Sequence, residues 1–116
     1  MTTLITRSDL ETAITEQHVT VIDALPASYF AQQHLPGAVN LVADEVQQRA
    51  ETLLPHHDAL IVVYCSNPAC PNSGHVATKL EKLGYRNVRK YAEGIQDWVS
   101  AGLPTESSSA PTAPRS

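Results

Sequence analysis

The sequence predicts an α/β domain built on a parallel sheet with helices packed against it. Two of its apolar runs, Val19-Thr20-Val21-Ile22 and Leu60-Ile61-Val62-Val63-Tyr64, are continuous and β-branched without polar alternation, as in strands covered on both faces. Strand-like runs alternate along the chain with segments of helical period, which is the order of βαβ crossovers. At 116 residues, 42% of them hydrophobic, the chain is long enough for one core and too short for two ordinary domains.

The elements follow in order. Leu4-Ile5 is a first short strand. Ser8 reads as an N-cap with Glu11 completing a capping box, so a helix runs from Asp9 to about Glu16 with Leu10, Ala13 and Ile14 on its apolar face. Val19–Ile22 and Ala38–Val42 are the next strands, and Glu45 to His57 has a helical pattern whose end is obscured by Pro55 and His56-His57-Asp58. Beyond the strand at Leu60–Tyr64, residues Val76, Ala77, Leu80 and Leu83 form a helical stripe closed by Gly84. A fainter strand at Val88–Tyr91 precedes a helix from about Ile95 to Ala101, stopped by Gly102 and Pro104. From Thr105 onward every residue is small, polar or proline, so the reading is a folded unit over 1–105 and a disordered Ser/Pro-rich tail over 106–116.

Charge and composition exclude several function classes. The net charge is −4 and the eight Lys and Arg are scattered, so the basic footprint of a nucleic-acid binder is missing. No run approaches the ~20 apolar residues of a membrane span, and the N-terminus lacks the basic-then-apolar layout of a signal peptide; the expected compartment is the cytoplasm. No glycine-rich phosphate loop is present. The two cysteines, Cys65 and Cys70, are too few for a secreted disulfide scaffold, and a close pair in a reducing compartment points to catalysis or redox chemistry.

Those cysteines sit in the most informative stretch. A hydrophobic strand delivers Cys65 into a loop of Ser66, Asn67, Pro68, Ala69, Cys70 and Pro71, and a helix opens near Asn72 or Ser73. Sites in open α/β sheets form at the carboxyl ends of strands, and loop N–H groups with a helix dipole favour an anion there. Cys65 so placed is a candidate thiolate nucleophile; the competing reading is a small buried core residue. Cys70 is either a second thiol able to pair with Cys65 or a loop residue packed on the helix start. Cys65, Cys70 and His75 supply only three metal ligands with no two-residue cysteine spacing, so no metal is expected. His34 is read as structural, and His18, His56 and His57 as exposed. Asp23, at the end of the second strand, is read as an anchor for loop N–H groups rather than a catalytic base, and Trp98 as packing for the last helix.

Three blocks resemble the single-domain rhodaneses, a sulfurtransferase family. They are Val21-Ile22-Asp23 with His34-Leu35-Pro36-Gly37-Ala38-Val39-Asn40, then Val62-Val63-Tyr64-Cys65, then Gly84-Tyr85-Arg86-Asn87-Val88 with Gly94, Trp98 and Ala101-Gly102-Leu103-Pro104. The resemblance implies a five-stranded parallel sheet with helices on both sides and Cys65 at the base of a cradle-shaped loop. It further implies a Cys65 persulfide, charged by a small sulfur donor such as thiosulfate or a persulfide and discharged to cyanide or a thiol, including a protein thiol, without a cofactor. The chain departs from the family pattern at Leu25, where an arginine is common, and in a loop with no Arg or Lys, leaving Lys79 as the nearest cation. It also has Glu93-Gly94 where Gly-Gly is usual. The loop is about two residues longer than the commonest form and resembles a subgroup whose second cysteine, here Cys70, precedes Pro-Asn-Ser. Without a loop arginine, phosphatase chemistry is disfavoured. A rhodanese-like docking, redox-sensing or persulfide-sensing module with little turnover is the alternative reading.

Overall fold

The continuous apolar runs are the middle of the sheet. In the computed structural model, which describes residues 3–107, the strands are β1 (Thr3–Leu4), β2 (Thr20–Asp23), β3 (Val39–Asn40), β4 (Ile61–Tyr64) and β5 (Val88–Tyr91), all parallel in the order β1-β5-β4-β2-β3. Side chains alternate across β4 and so feed two cores. Ile61 and Val63 pack with Ile22 and Val88 under the helices α3 (Val46–Leu53) and α4 (Asn72–Lys82). Val62 and Tyr64 pack with Val21 and Tyr91 under α1 (Arg7–Thr15) and α5 (Gly94–Ser100). A doubly covered sheet explains why the central strands carry no polar alternation.

Parallel pairing brings the strand ends to one edge. Asp23 is opposite Tyr64, and Tyr64 is opposite Tyr91, so the loops that follow β2, β4 and β5 open side by side.

Several local expectations are corrected. Helix α1 starts earlier, with Thr6 as N-cap, because its Oγ1 accepts the Asp9 N–H at 3.1 Å and leaves Ser8 inside the first turn. The helical pattern from Glu45 to His57 resolves into a 3₁₀ turn at Ala43–Glu45 and α3. Helix α2 (Ala27–Gln32) was not foreseen; its six residues carry no full apolar stripe, and only Phe30 and Ala31 are even half-buried. His57 is half-buried rather than exposed: it stacks on Tyr85 at 4.1 Å and its Nε2 meets the Glu51 carboxylate at 2.9 Å.

The expected tail, 106–116, lies outside the described residues from 108 onward. Glu106, assigned to it, belongs to the folded unit. It pairs with His34 through reciprocal main-chain bonds of 2.9 and 2.8 Å, and its carboxylate accepts the Gly37 N–H at 2.9 Å. A polar composition hides such a clasp because main-chain pairing needs no apolar side chain.

Candidate active site

Strand β4 is followed directly by Cys65, which is 1% exposed, and the chain turns at once into the loop that leads to α4. The turn is shaped locally. Asn67 accepts the Ala69 N–H on its Oδ1 at 2.9 Å and the Cys70 N–H on its carbonyl at 3.1 Å, with Pro68 between them. This returns Cys70 to Cys65, and the two form a disulfide with Cα atoms 6.2 Å apart. Pro71 caps α4 without a side-chain bond, and Asn72 Nδ2 donates to the Ala24 carbonyl across the edge at 3.3 Å. Ser73 is buried in the first turn. Among the described residues, the main-chain N–H groups of Ser66, Asn67, Asn72, Ser73 and Gly74 meet no protein acceptor. The loop and the helix start thus offer donors to an anion.

Helix α5 holds the base of the loop. Ile95 N–H donates to the Cys65 carbonyl at 2.9 Å and Gln96 N–H to the Ser66 carbonyl at 3.0 Å, so the main chain at Cys65 and Ser66 is fixed from below. Gly94 makes that approach feasible. Its φ is +76°, and a Cβ there would lie 2.5 Å from the Ser66 carbonyl carbon. Trp98 is buried on the same helix, donates to the Pro104 carbonyl at 2.7 Å and meets Tyr91 edge to face. Glu93 is exposed beside Gly94.

The hydrogen bonds of the Asp23 and His34 side chains go to groups other than the cysteines. Asp23 is fully buried, accepts the Leu25 N–H at 2.8 Å on Oδ1 and the Tyr64 hydroxyl at 2.7 Å on Oδ2, and Tyr64 in turn accepts the Leu35 N–H at 3.1 Å. Burial pushes the Asp23 carboxyl above its ordinary value against the opposing pull of these donors, and burial beside Asp23 pushes the Tyr64 hydroxyl upward too. His34 stacks on Phe30, and its Nδ1 donates to the Phe30 carbonyl at 2.7 Å. Tyr64 was missed as a polar partner; its signal is a hydroxyl at the last position of an otherwise aliphatic strand.

The cations lie elsewhere than the sequence suggested. Lys79 donates to the Ala43 carbonyl at 3.1 Å and Leu25 is buried. Lys90, which the sequence reading passed over, comes from β5 to the first turn of α4, its Nζ 3.6 Å from where a Gly74 Cβ would stand. Two clefts flank the loop. One of about 500 Å³ is lined by Leu25, Tyr29, Ser66, Asn72 and Gln96. The other, about 660 Å³, is lined by Asn40, Asp44, Glu45, Arg49, Asn72 and His75, and Arg49 is paired with Glu45 at 2.7 Å. Among the described residues no three His, Cys, Asp or Glu side chains share a metal-binding position, and His75 does not complete one with the cysteines.

Comparison with known proteins agrees with this arrangement. The Rhodanese-like domain profile matches residues 6–101. An HTH-type transcriptional regulator of Mycobacterium tuberculosis is 30% identical over 102 residues, which is 88% of this chain but only 44% of the regulator. The thiosulfate sulfurtransferase PspE of Escherichia coli is 33% identical over 76 residues, 66% of this chain and 70% of that protein. The structure of the BH2092 protein of Bacillus halodurans superposes with a TM-score of 0.83 at 23% identity, covering 97% of this chain and 82% of that one, a likeness of fold.

Proposed function

The chain belongs to the rhodanese-like domain family, and on that premise we propose that it is a sulfurtransferase carrying sulfane sulfur as a persulfide on Cys65. The observation that supports this reading is a cysteine buried at the carboxyl end of β4, at the base of a loop whose N–H groups are unspent. In the reduced protein the Cys65 thiolate attacks the sulfane sulfur of a donor. The donor's S–S bond breaks, its remaining thiolate or sulfite departs, and the outer sulfur stays on Cys65 as a persulfide. Free N–H groups stabilise that anion much as an oxyanion hole does. A thiol or cyanide then takes the outer sulfur and restores the thiolate. The chemistry uses no cofactor.

The surroundings favour one class of donor. The loop itself lacks Arg and Lys, Glu93 stands at its edge, and in the neighbouring cleft Arg49 is paired with Glu45, so Lys90 at the first turn of α4 matches a singly charged persulfide better than dianionic thiosulfate. The thiol form belongs to a reducing compartment, in keeping with the cytoplasm. A protein thiol is a further acceptor class, since exposed Tyr29 lines the cleft that borders Ser66.

Intact-mass measurement on reduced protein tests this. After incubation with glutathione persulfide, and separately with thiosulfate, Cys70→Ser should gain one sulfur mass that cyanide removes, and Cys65→Ser should gain none. No adduct from either donor on folded, reduced Cys70→Ser would overturn the proposal. A sensing module with little turnover is the second reading, favoured by the disulfide that ties up both thiols. It expects one sulfur loaded per chain but no sustained transfer to added thiol.

A further inference from the structure

We propose that Cys70 resolves the Cys65 persulfide, so that the domain releases sulfide and works as a thiol-dependent persulfide reductase; this rests on the persulfide reading above. The carrying observation is the Cys65–Cys70 disulfide formed with the loop intact. With the disulfide in place, the Asn67 carbonyl accepts the Cys70 N–H, Asn67 Oδ1 accepts the Ala69 N–H, and Ile95 and Gln96 hold Cys65 and Ser66. The Cα separation of 6.2 Å lies in the ordinary range for such a bond. The hydrogen-bonded turn of this loop therefore accommodates Cys70 Sγ on Cys65 Sγ. That sulfur is the inner atom of a Cys65 persulfide.

The step balances. Cys70 Sγ attacks Cys65 Sγ, the bond to the outer sulfur breaks, and that sulfur takes the electron pair and the proton given up by the Cys70 thiol and leaves as hydrosulfide. The two-electron reduction of the sulfane sulfur is matched by oxidation of the two cysteines to the disulfide. An outside acceptor must arrive by diffusion, whereas Cys70 is five residues away on the same turn. Intramolecular attack has the advantage of proximity.

Regeneration follows exposure. Cys70 is half-buried and Cys65 fully so, which directs an incoming low-molecular-weight thiol to the Cys70 sulfur. Cys65 then leaves as a thiolate beside the unbonded N–H groups, and a second thiol clears Cys70. The sum is one persulfide plus two thiols giving one thiol, one hydrogen sulfide and one disulfide.

The test uses reduced full-length protein, freed of reductant, given one equivalent of glutathione persulfide and followed by intact mass and trapped sulfide. The unmodified chain should end as the internal disulfide, two hydrogens lighter, with one sulfide released per chain. Cys70→Ser and Cys70→Ala should hold the added sulfur on Cys65 and release sulfide at least about 100-fold more slowly. The unmodified chain keeping the extra sulfur, or either variant releasing sulfide at the unmodified rate, would overturn the resolving role and leave the persulfide reading standing. No sulfur on folded Cys70→Ser and Cys70→Ala would overturn the persulfide reading itself, and this inference with it.

Discussion

Strands β2 and β4 are register-paired neighbours, β2 ending in Asp23 and β4 leading into Cys65, and the two ends are finished in opposite ways. At Asp23 both carboxylate oxygens have donors, the partner hydroxyl of Tyr64 is itself bonded, and the Asn40 side chain ties off the carbonyls of Asp23 and Leu25. At Cys65 the carbonyl side is fixed by α5 while five N–H groups of the loop and helix start are left without protein partners. Satisfied groups hold shape; unsatisfied ones are available to a ligand. Removing what holds the open end should therefore do the most harm. Gly94→Ala adds a left-handed penalty of about 1–2 kcal/mol and an overlap with Ser66 main chain costing roughly 1–3 kcal/mol more. Persulfide uptake should fall on the order of 100-fold, because displacing a reacting group by about 1 Å has that scale of effect. Gly37→Ala is the matched control: its φ is +74° but no atom lies within 4 Å of the new Cβ, so it should lose stability and keep uptake. Equal loss of uptake in both would remove the steric role given to Gly94.

The closed end should break differently. Tyr64→Phe leaves Asp23 Oδ2 and the Leu35 N–H buried without a partner, at about 1–3 kcal/mol. Each kcal/mol is worth roughly 4–8 °C for a domain of this size, so thermal unfolding should shift down by at least several degrees. Uptake of sulfur by the remaining folded protein should change little, since no contact of the Tyr64 hydroxyl involves the loop. A large loss of uptake with unchanged melting would reverse the assignment of the two ends.

How much of this was legible follows the same division. The sheet, the helices on both faces and the Cys65 loop could be read because continuous β-branched runs and a strand running into Pro-containing turns are local signals. What pairs across the fold was not. Tyr64 to Asp23 spans 41 residues, and His34 to Glu106 joins a loop to a segment that looked like tail. Gly94 was visible as a departure beside Glu93, yet its reason, the approach of Ser66, exists only after α5 docks. Lys90 reads as an ordinary strand residue until β5 sets it beside the first turn of α4. Side-chain type marks candidates, and register decides which of them meet.

The smallest expected effect is on pH dependence, and it separates the two ends without loss of fold. Burial raises the Asp23 carboxyl, so the folded chain holds that proton more tightly than the unfolded one. Stability from this group is present below the unfolded carboxylate value and declines as pH rises toward the raised native value. Asp97 acts in the other sense, because the Tyr91 hydroxyl and then Arg7 lower its carboxyl, adding stability that is lost on acidification. The raw melting curve mixes both, whereas the difference between the unmodified chain and Asp23→Asn isolates the buried group. That variant melts lower throughout, since its amide cannot accept from both Leu25 and Tyr64. Between about pH 4 and pH 7 its deficit should narrow as the unmodified chain is forced to ionise Asp23. A deficit that widens with rising pH would mean the Asp23 charge is held favourably by its donors, and that the closed end is an anion site in its own right.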